Sequence, residues 1–480
     1  ANYSKDPPGT RNARALTSPF SEPADLPFTL GGVETVGLTH IVPDTAIYNT
    51  TTANKNNWEP YIGVLGTSTF LIEANTFADD GSFEFQRYAL ALQPTTGGAN
   101  KLGEGFYVDN GTSFVGQINY SRQDGNPGRV AGDRRPGATN FIVGGEASPH
   151  VVPEFQSDNR WNLGFDRLGD GRYGTIQIYS VDPSSLSQTP LCKAQDSAYG
   201  RATSGATVGN QMTRYGGDVV CLDNGNFVSV VEDRARVFNP DGNAVVATIF
   251  APDGTIVKES FIVAPIEGAT ALDVDIWSNV TSYKGGFAVR AKTPDGASRA
   301  IYFFDNAGTL LKWVDQSTSG VAFDTGRGDG TRLASHINSP YVYLSGAVSG
   351  VIRLAVWDAT DQSFVTTTNV SELLEAHGGS DPGEFNLRFD RGILTVDALD
   401  RVVVAFEAGP SNQEQIAIRV LAFNSNTKQF SYLTSSFFPF VNYGPFVTEN
   451  FIRTFRPSVA MTTRQICIAA KGSINLQSKP

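Results

Sequence analysis

"ATIFAPDGTIVK", residues 247–258, sets an Asp-Gly turn between two short runs of β-branched and aromatic residues. Fifty-four positions later stands "IYFFDNAGTLLK", residues 301–312. The last ten positions superpose as IFAPDGTIVK over FFDNAGTLLK, with Phe, Gly, Thr and Lys in register. Two apolar runs separated by Gly-containing turn chemistry are the signature of a β-hairpin. A hairpin repeated at a fixed interval marks a supersecondary unit used more than once.

Extending both copies outward gives four strands each. "DVVCL", "FVSVVED", "AVVATIF" and "IVKESFIVA" make one unit, and "SNVTSY", "FAVRAKT", "RAIYFFD" and "TLLKWVDQ" the next. The same grammar fills 61–108, 332–370 and 392–438. A looser copy over 112–196 reads as "TSFVGQINY", "NFIVGGEA", "TIQIYSVD" and "PLCKAQD". Only "VSELLEAH", 370–377, has the spacing of a helix. Six complete units leave two orphan strands at each end, in 27–43 and 458–472. Pairing these orphans closes a ring and hides most strand edges, whereas a linear stack would need polar caps. The expectation is an all-β, seven-bladed β-propeller of four-stranded antiparallel blades, its last blade a composite of N- and C-terminal strands. It forms one domain over 1–480, with an N-terminal extension at 1–26 and a tail at 473–480.

The resemblance is to the β-propeller superfamily at large. No GH…WD pattern and no S-x-D-x-G-x-x-W box occurs. "FRPSVAM", 455–461, resembles the Arg-x-Pro-Ser-Val strand start of some carbohydrate-active propellers.

Composition excludes other classes. Charged residues are 18% of the 480, Gly numbers 49, and apolar residues at 40% suffice for a large core. A net charge of −11 argues against nucleic-acid binding, and no apolar run is long enough to span a membrane. The start at Ala1 without Met reads as a chain whose signal peptide has been removed, which places it outside the cell or at its surface, with the periplasm as the alternative. Six N-x-S/T sequons fit that compartment without establishing it. Of three cysteines, Cys192 and Cys221 could close a 30-residue loop, leaving Cys467 as a buried thiol.

The strand grammar puts long connections on one face (147–173, 197–217, 265–277, 317–332, 371–391 and 439–457) and tight turns on the other. Loops at a propeller's channel mouth can vary without disturbing the blades, so the long-loop face is the expected site. Trp58, Asp218, Asp275, Trp277, His336, Asp390 and Arg456 are the candidate ligand-binding residues there. Aromatic rings that stack on sugar faces, beside charged groups that read hydroxyls, would suit a glycan. The bland alternative is that the tryptophans pack between blades and the aspartates cap turns.

"GFDRLGDGRYG" (164–174) and "AFDTGRGDGTR" (322–332) place Gly-Asp-Gly shortly after an Asp. Such loops could hold Ca²⁺, though neither has the EF-hand spacing, and structural Asp–Arg turns fit as well. No cofactor is expected otherwise, and four histidines leave little for a three-His metal site. The stretch 120–140 carries Arg122, Arg129, Arg134 and Arg135 among Gly and Pro, and reads as a solvated insertion or a basic patch for an anionic glycan.

Two functions fit. One is a secreted or surface-displayed binding or structural protein, with a glycan or protein partner on the long-loop face and self-assembly open to it. The other is a polysaccharide lyase or glycoside hydrolase. Glycoside hydrolysis needs two carboxylates about 5–10 Å apart in one pocket, a distance no sequence contains.

Overall fold

A computed structural model describes residues 61–77, 85–95, 98–107, 129–147, 173–181, 188–193, 218–233, 242–267, 280–320, 332–348, 351–370, 394–408, 415–438 and 451–474. Nearly all of them lie in antiparallel strands or the turns between. The first sheet is β1 (Tyr61–Leu65), β2 (Thr69–Phe77), β3 (Phe85–Thr95) and β4 (Gly98–Tyr107). The second is β5 (Arg129–Gly132), β6 (Asn140–Ala147), β7 (Tyr173–Val181) and β8 (Gln188–Lys193). The third is β9 (Asp218–Cys221), β10 (Phe227–Asp233), β11 (Gly242–Phe250) and β12 (Ile256–Glu267). The fourth is β13 (Val280–Tyr283), β14 (Gly286–Lys292), β15 (Arg299–Asp305) and β16 (Leu310–Asp315). The fifth is β17 (Arg332–Ala334), β18 (Tyr341–Val348), β19 (Val351–Asp358) and β20 (Ser363–Asn369). The sixth is β21 (Leu394–Val396), β22 (Arg401–Ala408), β23 (Gln415–Asn424) and β24 (Gln429–Phe438). A two-stranded sheet, β25 (Phe451–Met461) and β26 (Ile466–Ile474), ends the series.

Within every sheet the strands pair in chain order, so each is an up-and-down blade. The first strands lie side by side in the order β1, β5, β9, β13, β17, β21, β25, and β25 lies against β1. This radial arrangement is a β-propeller. Seven complete four-stranded blades are nevertheless not what the described residues show: six sheets have four strands and the last has two. The pairing expected of residues 27–43 with 458–472 lies half outside the described residues. Of the 370–377 stretch, Val370 is helical and buried, and the rest lies outside them.

The quoted hairpins are β11–β12 and β15–β16, the outer hairpins of adjacent blades. Phe250 pairs with Ile256 in one, Phe304 with Leu310 in the other. Gly254 and Gly308 hold φ of 88° and 73°, which a side chain disfavours. The two copies touch: Lys258 Nζ donates to the Gly308 carbonyl at 2.5 Å.

Packing explains why the strands read as nearly continuous apolar runs. Along β11, Val245, Ala247 and Ile249 pack toward the fourth sheet, while Ala244, Val246 and Phe250 pack toward the second. Period-two alternation points successive side chains to opposite faces. Both faces are buried, because every middle sheet is flanked by two others. The core is therefore a set of inter-blade layers, one between each pair of consecutive sheets.

The second blade corrects the sequence reading. Its innermost strand is not within 112–120 but "RVAG", 129–132, inside the stretch read as a solvated insertion. The other boundaries follow the expected phase. Residues 148–172 connect a second strand to a third, and 316–331 and 370–393 join one blade to the next. Connections of these two kinds leave an up-and-down blade at the same end.

Candidate functional site: the central channel

Inner strands must converge, and convergence favours short strands and small residues. One strand from each of the seven sheets lines a central cavity of about 180 Å³. Gly132 of β5 shows how tight the ring is: a Cβ there would lie 2.1 Å from the Val64 carbonyl oxygen of β1.

Arg134 closes the end of this channel that bears the tight turns. It follows β5 and reaches across the axis to the ends of three strands on the far side. Its Nη2 donates to the carbonyls of Val396 at 3.0 Å and Met461 at 3.2 Å, and its Nη1 reaches Ser335 O at 3.5 Å. Burial pulls its pKa down to about 10, with Asp397 opposing the shift. The neighbouring Arg135 instead forms a 2.6 Å ion pair with Asp133 and donates to Asn224 O. Two of the four arginines of that stretch are placed with their side chains. Arg134 plugs the channel, Arg135 ties the second blade to the third, Arg129 lies in β5, and Arg122 is outside the described residues.

That contact belongs to a belt linking the first turns of consecutive sheets, from the first sheet to the seventh. Gly66 N donates to Asp133 O, and Gly285 N donates to the Asp223 carboxylate. Lys284 N donates to Ser339 O, Ser339 Oγ to Asp400 Oδ1, and Arg401 Nη2 to Thr463 O. The tight-turn face thus spends its polar groups on structure.

Of the expected site residues, two are placed with their side chains. Asp218 begins β9 at the long-connection end, as expected. Its Oδ1 accepts from Val219 N and its Oδ2 from Val280 N, each at 3.0 Å, which staples β9 to β13. His336 is a correction: it follows β17 and lies in the first turn of its blade, on the tight-turn face. It is buried, its Nδ1 accepts from Asn338 N, and burial together with the nearby Arg134 charge lowers its pKa to about 2. It is a neutral structural histidine. Arg456 lies in β25, and its side chain is outside the description. Trp58, Asp275, Trp277 and Asp390 lie outside the described residues, as do both Gly-Asp-Gly loops apart from Tyr173, Gly174 and Arg332. Among the described residues, no group of three or more His, Cys, Asp or Glu is placed to hold a metal.

The Cys192–Cys221 bridge is also corrected. Cys221 is a free, buried thiol on an innermost strand, whereas Cys192 lies on the outermost strand of the neighbouring sheet. Cys467 is free and half-buried.

Two desolvated titrating groups on the tight-turn face, half-buried Asp400 and buried His336, act in opposite directions. Desolvation raises Asp400 from 3.8 to about 6, against hydrogen bonds from Ser339 and Tyr343. A raised carboxyl contributes stability that is full below about pH 4 and is lost as pH climbs through 6. His336, lowered from 6.5, contributes stability that is lost as pH falls below 6.5. The two cancel between about pH 4 and 6. Asp400→Asn should therefore be more stable than wild type above pH 6, with the gain shrinking toward zero near pH 4. Both donors use Oδ1, which asparagine keeps, and asparagine tolerates the φ of 56° at this position. Urea denaturation of the two proteins from pH 4 to 8 checks this, and a pH-independent difference would contradict it.

Sheet order and the ring of inner strands define the chain as a β-propeller. No family model matches it, and no curated protein does. Several solved structures are similar in part. An α-L-arabinanase of Penicillium chrysogenum complexed with arabinobiose has 11% identity, covering 76% of this chain and 93% of its own, with a TM-score of 0.40. An α-L-arabinofuranosidase of Fusarium graminearum with an iminosugar inhibitor has 8% identity, covering 80% and 93%, with a TM-score of 0.39. The β-propeller domain of the Trilobed protease of Pyrococcus furiosus has 9% identity, covering 75% and 93%, with a TM-score of 0.34. Likeness at this level carries no argument about activity.

Proposed function

We propose that this propeller is a secreted or surface-displayed binding or assembly protein that recognises a glycan or protein partner with its long-connection face. One observation carries the reading. The first turns of the blades on the opposite face are committed to the inter-blade belt, and Arg134 reaches across the channel there, which favours the long-connection end as the face whose loops vary. Asp218, the carboxylate that lines the channel among the described residues, accepts from two backbone amides, the role of a structural staple.

The same reading takes seven blades, with residues 27–43 completing the sheet of β25 and β26. A chain lacking residues 1–45 should then melt at a lower temperature and less cooperatively, and an unchanged melt would remove the composite blade. Recognition itself is tested by a glycan-array screen of the purified chain, with and without chelator, followed by mass spectrometry of the eluted glycan. Intact glycan supports binding, and loss of binding on chelation assigns Ca²⁺ to the acidic loops. Released fragments would overturn the reading in favour of a carbohydrate-active enzyme.

A further inference from the structure

Exposed apolar surface is concentrated on one stretch of the propeller's rim. Among the described residues, Val257 and Ile262 of β12 and Leu310, Leu311 and Trp313 of β16 stay exposed on the outermost strands of the third and fourth sheets. By contrast, the exposed side chains of β20 are Ser363 and Thr367, and Gln429 is exposed on β24. Residues 310–313 are exposed in succession. Successive side chains point to opposite faces of a strand, so β16 projects beyond its neighbours. The seam between the two strands is aromatic: Phe261 meets Phe304 at 5.8 Å, and Trp313 meets Tyr302 at 6.2 Å. Five side chains exposed by 37–53% leave on the order of 400 Å² of apolar surface, close to the roughly 450 Å² of apolar area that each partner buries in a standard interface. The charges of this rim are of both signs. Glu259 and Lys312 are exposed, and Lys312 also acts on the exposed Asp361. The repeat alignment sets Lys258 level with Lys312, which puts Glu259 one residue further along at nearly the same height.

We propose that this rim docks a second copy of the chain in a weak two-fold dimer. β12 and β16 are both fourth strands of up-and-down blades and run the same way. A two-fold axis passing radially between them lays β12 of one copy across β16 of the other. Leu310, Leu311 and Trp313 are then covered by apolar side chains of the second copy, and each Glu259 comes opposite the partner's Lys312. A surface with both signs at one height is complementary to itself, as a two-fold interface requires, whereas a partner of one charge would call for a one-signed rim. The rim is independent of what the long-connection face recognises.

Sedimentation velocity of the full chain, from micromolar to sub-millimolar concentration, tests the dimer. The weight-average sedimentation coefficient should climb from monomer toward dimer, and a monomer throughout would overturn the proposal. Leu311→Lys should stay monomeric over the same range while melting like wild type, and association equal to wild type would overturn the assigned surface. Charge exchange separates a two-fold dimer from any other contact. Glu259→Lys and Lys312→Glu should each raise the dimer Kd about tenfold, because two attractive pairs per dimer become repulsive. An equimolar mixture of the two variants should regain wild-type affinity, since the exchanged charges then oppose each other at both contacts. A mixture no tighter than either variant alone would overturn the pairing of β12 with β16.

Discussion

Trp357→Ala should lower the unfolding free energy by about 3–5 kcal/mol, the range for removing a large aromatic ring from a packed core. Trp357 is fully buried in β19 and heads the fully buried side chains by volume. It fills the layer between the fourth and fifth sheets with Tyr283, Phe303, Leu344 and Ala355. Phe364 meets its ring edge-on at 5.7 Å. A propeller layer has β-sheets on both sides, so the backbone cannot collapse into the cavity without pulling a blade out of register. The indole Nε1 has no hydrogen-bond partner among the described residues. Trp357→Phe should therefore cost much less, since it removes an unmet donor along with part of the ring. Urea denaturation of the three proteins separates these effects, and an alanine variant within 1 kcal/mol of wild type would show that the layer repacks.

Gly132→Ala should be about as damaging, at roughly 3 kcal/mol or more, through overpacking rather than a cavity. The new Cβ would lie 2.1 Å from Val64 O, 2.7 Å from Val64 C and 2.8 Å from Leu65 Cα, all backbone of the neighbouring inner strand. No rotamer relieves a backbone clash. β5 is also held from its other side by β9, so moving away from β1 pushes on the next blade. Gly137 is the control. It has φ of 75° with nothing near its missing Cβ, so alanine there should cost only about 1–2 kcal/mol of left-handed strain. Equal losses at the two positions would argue against the close approach of β1 and β5. Denaturation midpoints of the two variants under one set of conditions make the comparison.

The sequence by itself determined the propeller class and most strands of its four-stranded sheets. In β10 to β12 and β14 to β16, apolar alternation and turns such as PDG and NAG are local signals, because a hairpin forms between residues adjacent in the chain. Strand phase followed, and with it the face on which each connection leaves. It could not find β5. "RVAG" is short and ends in Gly, weak evidence for a strand, and "TSFVGQINY" has the better pattern. β5 is fixed by the space left beside Val64, not by its own propensity. The tertiary structure also decided the roles of the charged residues. Arg134 reads locally as one of four arginines in a Gly- and Pro-rich stretch, yet it bonds to carbonyls 262 and 327 residues away. His336 and Cys221 took their places in the same way, through what the ring put beside them. A channel made of one strand from each blade has no local pattern, because its neighbours are contributed from almost the whole length of the chain.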